Sequence, residues 1–172
     1  RSNILSAKDI FDIEQLAKLV AIGDLLGDRH NLKAKNIKFY FNPITLQIEP
    51  IGYDQHLPPK YLSKLMGEHK KIFGKTDKID LWDQVFNDED FFRLYNKYLY
   101  KYSRTEYLEK FYQKIKTEYE KKLNITYRVN PLYIDKNFEM LAENQSYIRN
   151  KLSPPELTHT YLSNGDDGYA LV

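Results

Sequence analysis

The chain contains no cysteine, two methionines and one tryptophan, and its charges nearly cancel. The absence of cysteine excludes disulfides and thiolate chemistry. Its 26 basic and 24 acidic residues give a net charge of +2, which is too balanced to indicate a nucleic-acid or membrane surface. No apolar run approaches the roughly 20 residues that a helix needs to span a bilayer. We therefore expect neither a nucleic-acid partner nor a membrane span.

The residues that are present favour a globular protein. Of the 172 residues, 42% are hydrophobic and 15% are aromatic, so one domain with a substantial core is expected. The chain starts at Arg1 rather than Met, and its end reads as a turn that enters a new strand. We expect a piece of a longer protein. Residues 1–155 form its domain, and residues 156–172 form a linker or the start of a following segment.

Hydrophobic spacing predicts an α+β fold that is mostly α, with a β-hairpin and a helical bundle. Apolar residues recur at helical spacing from Ile13 to Leu26, and Gly27 fits the end of that helix. Alternation with period 2 over residues 37–41 and 46–53 predicts the two strands of the hairpin. The spacing then returns to that of helices.

Helix signals also mark the second half of the chain. A short helix is predicted over residues 61–66, and Asn87 or Asp88 caps a longer one that ends near residue 102. Ser103-x-x-Glu106 has the spacing of a capping box and predicts a helix from Ser103 to about residue 123. A last helix is expected over residues 135–152.

Polar residues that can carry chemistry flank the predicted hairpin. A loop between the first helix and the hairpin holds Asp28, Arg29, Asn31 and Asn36, and Asp54 follows the second strand. Protein kinases arrange a catalytic Asp, a metal-binding Asn and a metal-binding Asp in this order around a two-stranded turn. Antiparallel strands bring the end of the second beside the start of the first. We therefore expect Asp28, Asn36 and Asp54 to converge on one open cleft.

Three segments in this stretch carry a resemblance to a known family. They read F-D-I-E-Q-L-A-K-L-V-A-I-G-D-L-L-G-D, K-N-I-K-F-Y-F-N-P and L-Q-I-E-P-I-G-Y-D. The chain resembles the CotH family of spore-coat, kinase-like proteins. The resemblance implies the C-terminal lobe of an atypical protein kinase, which uses ATP with Mg²⁺ or another divalent metal and phosphorylates Ser or Thr of a coat or surface protein. An extracellular or cell-surface location of a bacterial protein is likewise implied by the resemblance alone.

The resemblance also implies roles for particular residues. It makes Asp28 the catalytic residue, and it makes Asp54 a metal ligand together with the amide of Asn36. Asn31 is the alternative ligand, because the gap from Asp28 to Asn36 is longer than in ordinary protein kinases. Arg29 is expected at the cofactor, where it pairs with a phosphate or with Asp28 itself.

Other features favour a competing hypothesis. Members of the family tend to read W-D-x-D at the second acidic site, whereas this chain has His56 at its last position. That difference favours a catalytically inactive, kinase-like binding module.

No glycine-rich nucleotide loop and no lysine in a V-A-I-K strand precede the hairpin, so the N-terminal lobe of the kinase is expected to be missing. The fragment alone is then expected neither to bind ATP tightly nor to turn it over. A plain helical interaction domain is the third possibility.

Overall fold

The computed structural model describes residues 6–33, 35–54, 59–69, 81–153, 162–165 and 168–171. Within these ranges the chain is mostly helical and carries two small antiparallel hairpins, so the predicted mostly-α α+β class is confirmed. None of the described helices is both long enough and apolar enough to cross a membrane. The helices are α1 (Ala7–Ile10), α2 (Ile13–Leu26), α3 (Leu81–Asn87), α4 (Glu89–Ser103), α5 (Thr105–Val129) and α6 (Asn137–Leu152). The strands are β1 (Lys38–Asn42), β2 (Gln47–Ile51), β3 (Leu162–Gly165) and β4 (Gly168–Leu171).

Helix α2 is the central core element, and local sequence sets both of its ends. The carboxylate of Asp12 caps it by accepting a hydrogen bond of 2.9 Å from the backbone N–H of Gln15. Gly27 ends it in the left-handed conformation, with φ of 65°, as the sequence predicts. Between these ends the helix buries one apolar face against α4 and α6, which places Asp28 directly after a rigid helix.

The first hairpin is anchored beside the start of α2. Strands β1 and β2 pair antiparallel, with Lys38 opposite Ile51 and Asn42 opposite Gln47. A parallel bridge joins Phe11 to Ile48, and the ring of Phe39 lies 5.5 Å from that of Phe11. The hairpin is therefore held against the α1–α2 junction rather than projecting alone.

An aromatic cluster joins α3 and α4 beneath α2. Phe86 packs edge-on against Phe91 and Tyr95, with ring centroids 5.2 Å apart in both pairs. Tyr95, Tyr98 and Tyr102 on α4 are buried, so this tyrosine-rich helix serves the core. Their spacing of three and four residues is typical of the buried face of a helix.

Two helix predictions are wrong in position. Residues 61–66 were expected to be helical, but residues 61–65 form no helix, and a 3₁₀ turn begins at Met66 and ends at His69. Backbone groups at Lys60 and Leu62 bond instead to the side chain of Asn144 on α6. The expected cap Ser103 is the last residue of α4, where its hydroxyl donates to the carbonyl of Tyr100, and α5 begins at Thr105.

Helix α5 contributes less to the buried core than α4 and α6 do. Helix α5 extends to Val129, beyond the predicted end near residue 123, and Pro131 follows it. All of α5 is described, and it buries only Leu108. Beyond α6, strands β3 and β4 form the second hairpin, in the region where the sequence predicts a new strand.

Candidate functional site

Packing holds the loop after α2 in place. The N–H of Asp28 donates to the carbonyl of Gly23 at 3.1 Å, which closes the end of the helix. The indole N–H of Trp82 donates to the carbonyl of Leu32 at 2.8 Å, so α3 fixes the far end of the loop. At Gly23 an added Cβ would lie 3.0 Å from Cδ1 of Leu32, so the loop packs closely against α2. A loop held at both ends can present side chains in defined positions.

His30 joins the three residues that the sequence predicts to converge. Its backbone N–H donates to Oδ1 of Asp28 at 3.3 Å, and its carbonyl accepts from Nδ2 of Asn36 at 2.9 Å. Its ring nitrogen Nε2 lies 3.0 Å from Oδ2 of Asp54. Asp28, His30, Asn36 and Asp54 are called the His30 cluster below. Sequence spacing alone does not predict that His30 contacts all three residues.

Asp28 is buried beneath a lysine. It is 5% exposed, and Nζ of Lys60 lies 3.7 Å from its Oδ1 atom. The Lys60 side chain itself is mostly exposed, so its ammonium faces solvent and the Asp28 carboxylate together. The Asp28 carboxylate, which can accept a proton, therefore lies next to the Lys60 ammonium, which can attract an anion.

Asn31 lies beside the cluster and has unused hydrogen-bonding capacity. It is 2% exposed, and neither its amide nitrogen nor its amide oxygen has a hydrogen-bond partner within the described part of the chain. Buried polar side-chain atoms are nearly always paired in folded proteins. Asn31 therefore fits the role of a ligand residue, the alternative that the sequence left open.

Asp54 has an unusual backbone conformation. Its φ is 54°, in the left-handed region that residues other than glycine rarely occupy. Such conformations persist where surrounding contacts hold them, and they concentrate at binding and catalytic sites. The carboxylate remains partly exposed beside His30. His56, the departure from the family pattern, lies outside the described residues.

Arg29 faces the core rather than the cluster. Its guanidinium pairs with the fully buried Asp24, with Nε 3.0 Å and Nη2 2.9 Å from Oδ1, and it also donates to the carbonyl of Lys64. The expected partners, a phosphate or Asp28, are replaced by Asp24 because a carboxylate buried on α2 requires a compensating charge. Arg29 thereby ties the loop of Asp28 to the segment that carries Lys60.

Asp24 is a structural residue that the sequence reasoning missed. Its carboxylate also accepts hydrogen bonds from the hydroxyl of Tyr95 and the backbone N–H of Met66. Burial raises the pKa of Asp24, and the charge of Arg29 opposes this rise. The available signal was an acidic residue one turn after Val20 on the apolar face of α2.

Replacing Arg29 by methionine is expected to destabilise the fold by about 3 kcal/mol near pH 7, because the buried Asp24 loses its countercharge. Since the folded pKa of Asp24 lies above its ordinary value of 3.8, the fold favours the protonated carboxyl. The stability linked to this proton is present below the ordinary value and is lost as pH rises through the folded pKa. The penalty should therefore be smaller near pH 5 than near pH 7. Urea unfolding at both pH values measures it.

The matched control for this prediction is Arg93→Met. Arg93 pairs with Asp90 on the surface of α4, where ion pairs contribute little. This control should change stability by less than about 1 kcal/mol at either pH. An Arg29→Met penalty that is the same at both pH values would show that Asp24 does not take up a proton in the folded state.

Asn144 fixes the position of Lys60. Its Nδ2 donates to the carbonyls of Leu25 and Lys60 at 2.8 and 2.7 Å, and its Oδ1 accepts from the N–H of Leu62 at 2.7 Å. The N–H of Lys60 donates in turn to the carbonyl of Leu26 at 2.9 Å. One buried side chain on α6 thus joins the end of α2 to the Lys60 segment. The sequence gives no local signal for this, because the partners are far apart along the chain.

The described chain is thus a mostly helical α+β domain in which carboxylate and amide groups lie between the end of α2 and the first β-hairpin.

Part of the chain matches a protein of Acanthamoeba polyphaga mimivirus whose name describes a 5'-3' exonuclease. The match is 36% identical over 77 residues and covers 38% of this chain. The chain spans 12% of the length of that relative. No protein-family model matches the chain, and no solved structure matches it.

These comparisons contradict the resemblance to the CotH family. No family model supports it, and the curated relative carries the name of an exonuclease rather than of a kinase. The short segments behind the resemblance consist largely of apolar helix and strand residues, a pattern that many folds share. The expectation of a spore-coat or cell-surface location rested on the resemblance alone and stays an untested prediction.

Proposed function

We propose that the His30 cluster is part of a metal-dependent phosphoryl-transfer site. The observation that carries this proposal is that Asp28, Asn36 and Asp54, which lie up to 26 positions apart in the printed sequence, each contact His30. The proposed reaction moves the terminal phosphoryl group of ATP to a Ser or Thr hydroxyl of a protein. The remaining nucleotide-binding groups are assigned to a further lobe of the same protein.

The donor set is compatible with a divalent cation such as Mg²⁺. Mg²⁺ prefers oxygen ligands and commonly takes one or two carboxylates, with water and substrate phosphates completing its shell. Asp54 would hold the ion, and the amide oxygen of Asn36 or of the unpartnered Asn31 would add a ligand. Within the described residues, no group of three or more His, Asp or Glu side chains is placed to hold a metal. When bound, such an ion neutralises phosphate charge.

The residues of the chain have distinct roles in this proposal. Asp28 accepts the proton of the acceptor hydroxyl, because its carboxylate is held by the backbone N–H of His30 and the residue directly follows a rigid helix. Lys60 supplies positive charge beside it, where the transferred group carries negative charge. The contact between His30 and Asp54 holds the second carboxylate against the imidazole ring of His30. Phosphoryl transfer needs mainly this positioning and charge neutralisation.

Asp54→Asn is expected to remove metal-dependent nucleotide binding, because an amide oxygen binds Mg²⁺ more weakly than a carboxylate does. Calorimetric titration of ATP with and without Mg²⁺, in the longest expressible form of the protein, measures this. The loss should be about tenfold or more in affinity, and only when Mg²⁺ is present. Asp90→Asn, which removes an exposed carboxylate on α4, is the control. Unchanged Mg²⁺-dependent binding by Asp54→Asn would refute the metal assignment.

Two other functions remain as alternatives. A catalytically inactive binding module is favoured by the contact between Asp54 and His30, which already engages the proposed metal ligand. The name of the mimivirus relative suggests 5'-3' exonucleolytic cleavage, which is also transfer at phosphorus. The net charge of +2 gives little support to nucleic-acid binding. Parallel assays with radiolabelled ATP and with 5'-labelled single-stranded RNA and DNA distinguish the three functions.

A further inference from the structure

Helix α5 exposes a line of mostly apolar side chains. Residues in this line recur alternately at intervals of three and four, and we call them the α5 face: Phe111, Ile115, Glu118, Lys122, Ile125 and Val129. Such spacing keeps side chains along one seam, as in helices that pair with a second helix. Phe111, Ile125 and Val129 are 42%, 51% and 82% exposed, so the described part of the chain leaves much of this face uncovered. An exposed apolar face on a folded domain marks an interaction surface.

The α5 face has the same pattern when it is followed from either end. From the middle outward, the matching positions are Glu118 with Lys122, Ile115 with Ile125, and Phe111 with Val129. All three pairs are centred on position 120. Two identical helices that pair antiparallel about this position therefore place each residue opposite its match in the second copy. A two-fold axis repeats every contact, so apolar residues meet apolar ones and both Glu118 side chains meet a Lys122.

The charges at the middle of the α5 face select a second copy in the antiparallel direction. Within one copy, the carboxylate of Glu118 lies 3.5 Å from the ammonium of Lys122, and both side chains are mostly exposed. Such a surface pair contributes little by itself, so both groups can turn to a partner. Parallel pairing would place Glu118 beside Glu118 and Lys122 beside Lys122, and like charges in contact oppose association. Antiparallel pairing replaces both repulsions with attractions.

Apolar surface at the ends of the face also favours this arrangement. Phe111 and Ile115 line a cavity of about 470 Å³, whose other walls come from the end of α2 and from α6. Antiparallel pairing brings Ile125 and Val129 of the second copy beside these two residues. We propose that the α5 face pairs antiparallel with the α5 face of a second copy, so that the chain forms a two-fold symmetric dimer. The contact runs for about 27 Å along each helix and does not depend on the proposed phosphoryl transfer.

Basic residues that border the face give the dimer a distinctive salt dependence. Lys114, Lys121 and Arg128 are exposed and follow the face at intervals of seven. In the antiparallel pair they lie near the same three residues of the second copy and repel them. Salt screens these exposed charges more fully than the enclosed contacts between Glu118 and Lys122. The dimer should therefore tighten between about 0.1 M and about 1 M salt in sedimentation equilibrium. A dimer that weakens over this range would overturn the antiparallel arrangement.

Charge reversal tests the middle of the pair. Glu118→Lys and Lys122→Glu each place like charges opposite one another at both central contacts, so each variant alone should dimerise about tenfold or more weakly than the unaltered chain. A mixture of the two variants restores opposite charges at both contacts and should restore the affinity. Glu120→Lys reverses an exposed charge on the opposite side of the same helix and should leave the affinity unchanged. Single variants that dimerise as tightly as the unaltered chain, or a mixture that is no tighter than either variant, would overturn the inference.

Introduced thiols test the direction of pairing, because the chain contains no cysteine of its own. Position 115 faces position 125 of the second copy, whereas two copies of position 115 are about 15 Å apart along the helices. Mixing Ile115→Cys with Ile125→Cys under mild oxidation should therefore give a disulfide-linked dimer that neither variant forms alone. Linked dimers from each variant alone, and none between the two, would show parallel pairing and overturn the inference. An unaltered chain that stays monomeric up to about 1 mM at both salt concentrations would also overturn it and would leave the face to another partner.

Discussion

Asp28→Asn is expected to keep nucleotide binding and to lose phosphoryl transfer. Asparagine has nearly the same shape, and its amide oxygen can still accept the hydrogen bond that the N–H of His30 donates to Asp28. The amide cannot take a proton from the acceptor hydroxyl, so the chemical step should slow by about 10²–10⁴-fold. Single-turnover transfer from radiolabelled ATP in the longest expressible form of the protein measures the rate.

The structure offers two controls for this experiment. Asp90→Asn removes an exposed carboxylate that pairs with Lys8 and Arg93, and it should leave transfer unchanged. Lys60→Met removes the ammonium beside Asp28 while leaving the carboxylate, and it should weaken transfer less than Asp28→Asn does. If Asp28→Asn retains full transfer, Asp28 is not the proton acceptor. A complete absence of transfer in the unaltered protein would instead support the inactive-module alternative.

Local sequence signals predicted the elements that position the cluster. Gly27 marks the end of α2 correctly because a C-terminal cap depends on a few neighbouring residues. The period-2 segments around Asn42-Pro43 predicted the hairpin because alternation identifies strands that have one buried face. These two elements bring Asp28, Asn36 and Asp54 into contact with His30, whereas the convergence of the three side chains on one open cleft stays a prediction.

Tertiary contacts explain what the sequence could not predict. Residues 61–66 have adequate helix propensity, but Asn144, more than 80 positions away, binds the backbone there in an extended form. Ser103 and Glu106 have capping-box spacing, yet the hydroxyl of Ser103 bonds within α4. Arg29 was assigned to the cofactor because it adjoins Asp28, whereas the buried Asp24 determines its position. Asn144 is a long-range partner and Asp24 a buried one, and each outweighs the local preference, whereas Ser103 makes a different local hydrogen bond.

The resemblance to the CotH family was a different kind of error. Several of its matching positions are apolar residues of α2 and β2, whose type is fixed by packing and recurs in unrelated folds. The polar positions could suggest a class of chemistry, but they could not identify a family. The structural grouping of Asp28, Asn36 and Asp54 is independent of that error, because it rests on measured contacts with His30.

Gly27→Ala is expected to destabilise the fold by about 4 kcal/mol, the largest stability change predicted for this chain. Gly27 has φ of 65°, which disfavours any Cβ, and a Cβ there would lie 1.9 Å from the carbonyl oxygen of Lys60. That carbonyl belongs to a backbone segment held by Asn144, so relief of the clash requires a backbone shift and the loss of hydrogen bonds. Urea unfolding near pH 7 measures the change.

Gly52→Ala is the matched control, because Gly52 has an ordinary φ and no atom within 4 Å of an added Cβ. It should change stability by less than about 0.5 kcal/mol. The two variants also differ in their expected effect on the site. A shift of the Lys60 segment in Gly27→Ala should move the ammonium away from Asp28, so transfer should fall even at temperatures where the variant remains folded. If Gly27→Ala unfolds at the same urea concentration as the unaltered chain, the close packing of α2 against the Lys60 segment is wrong.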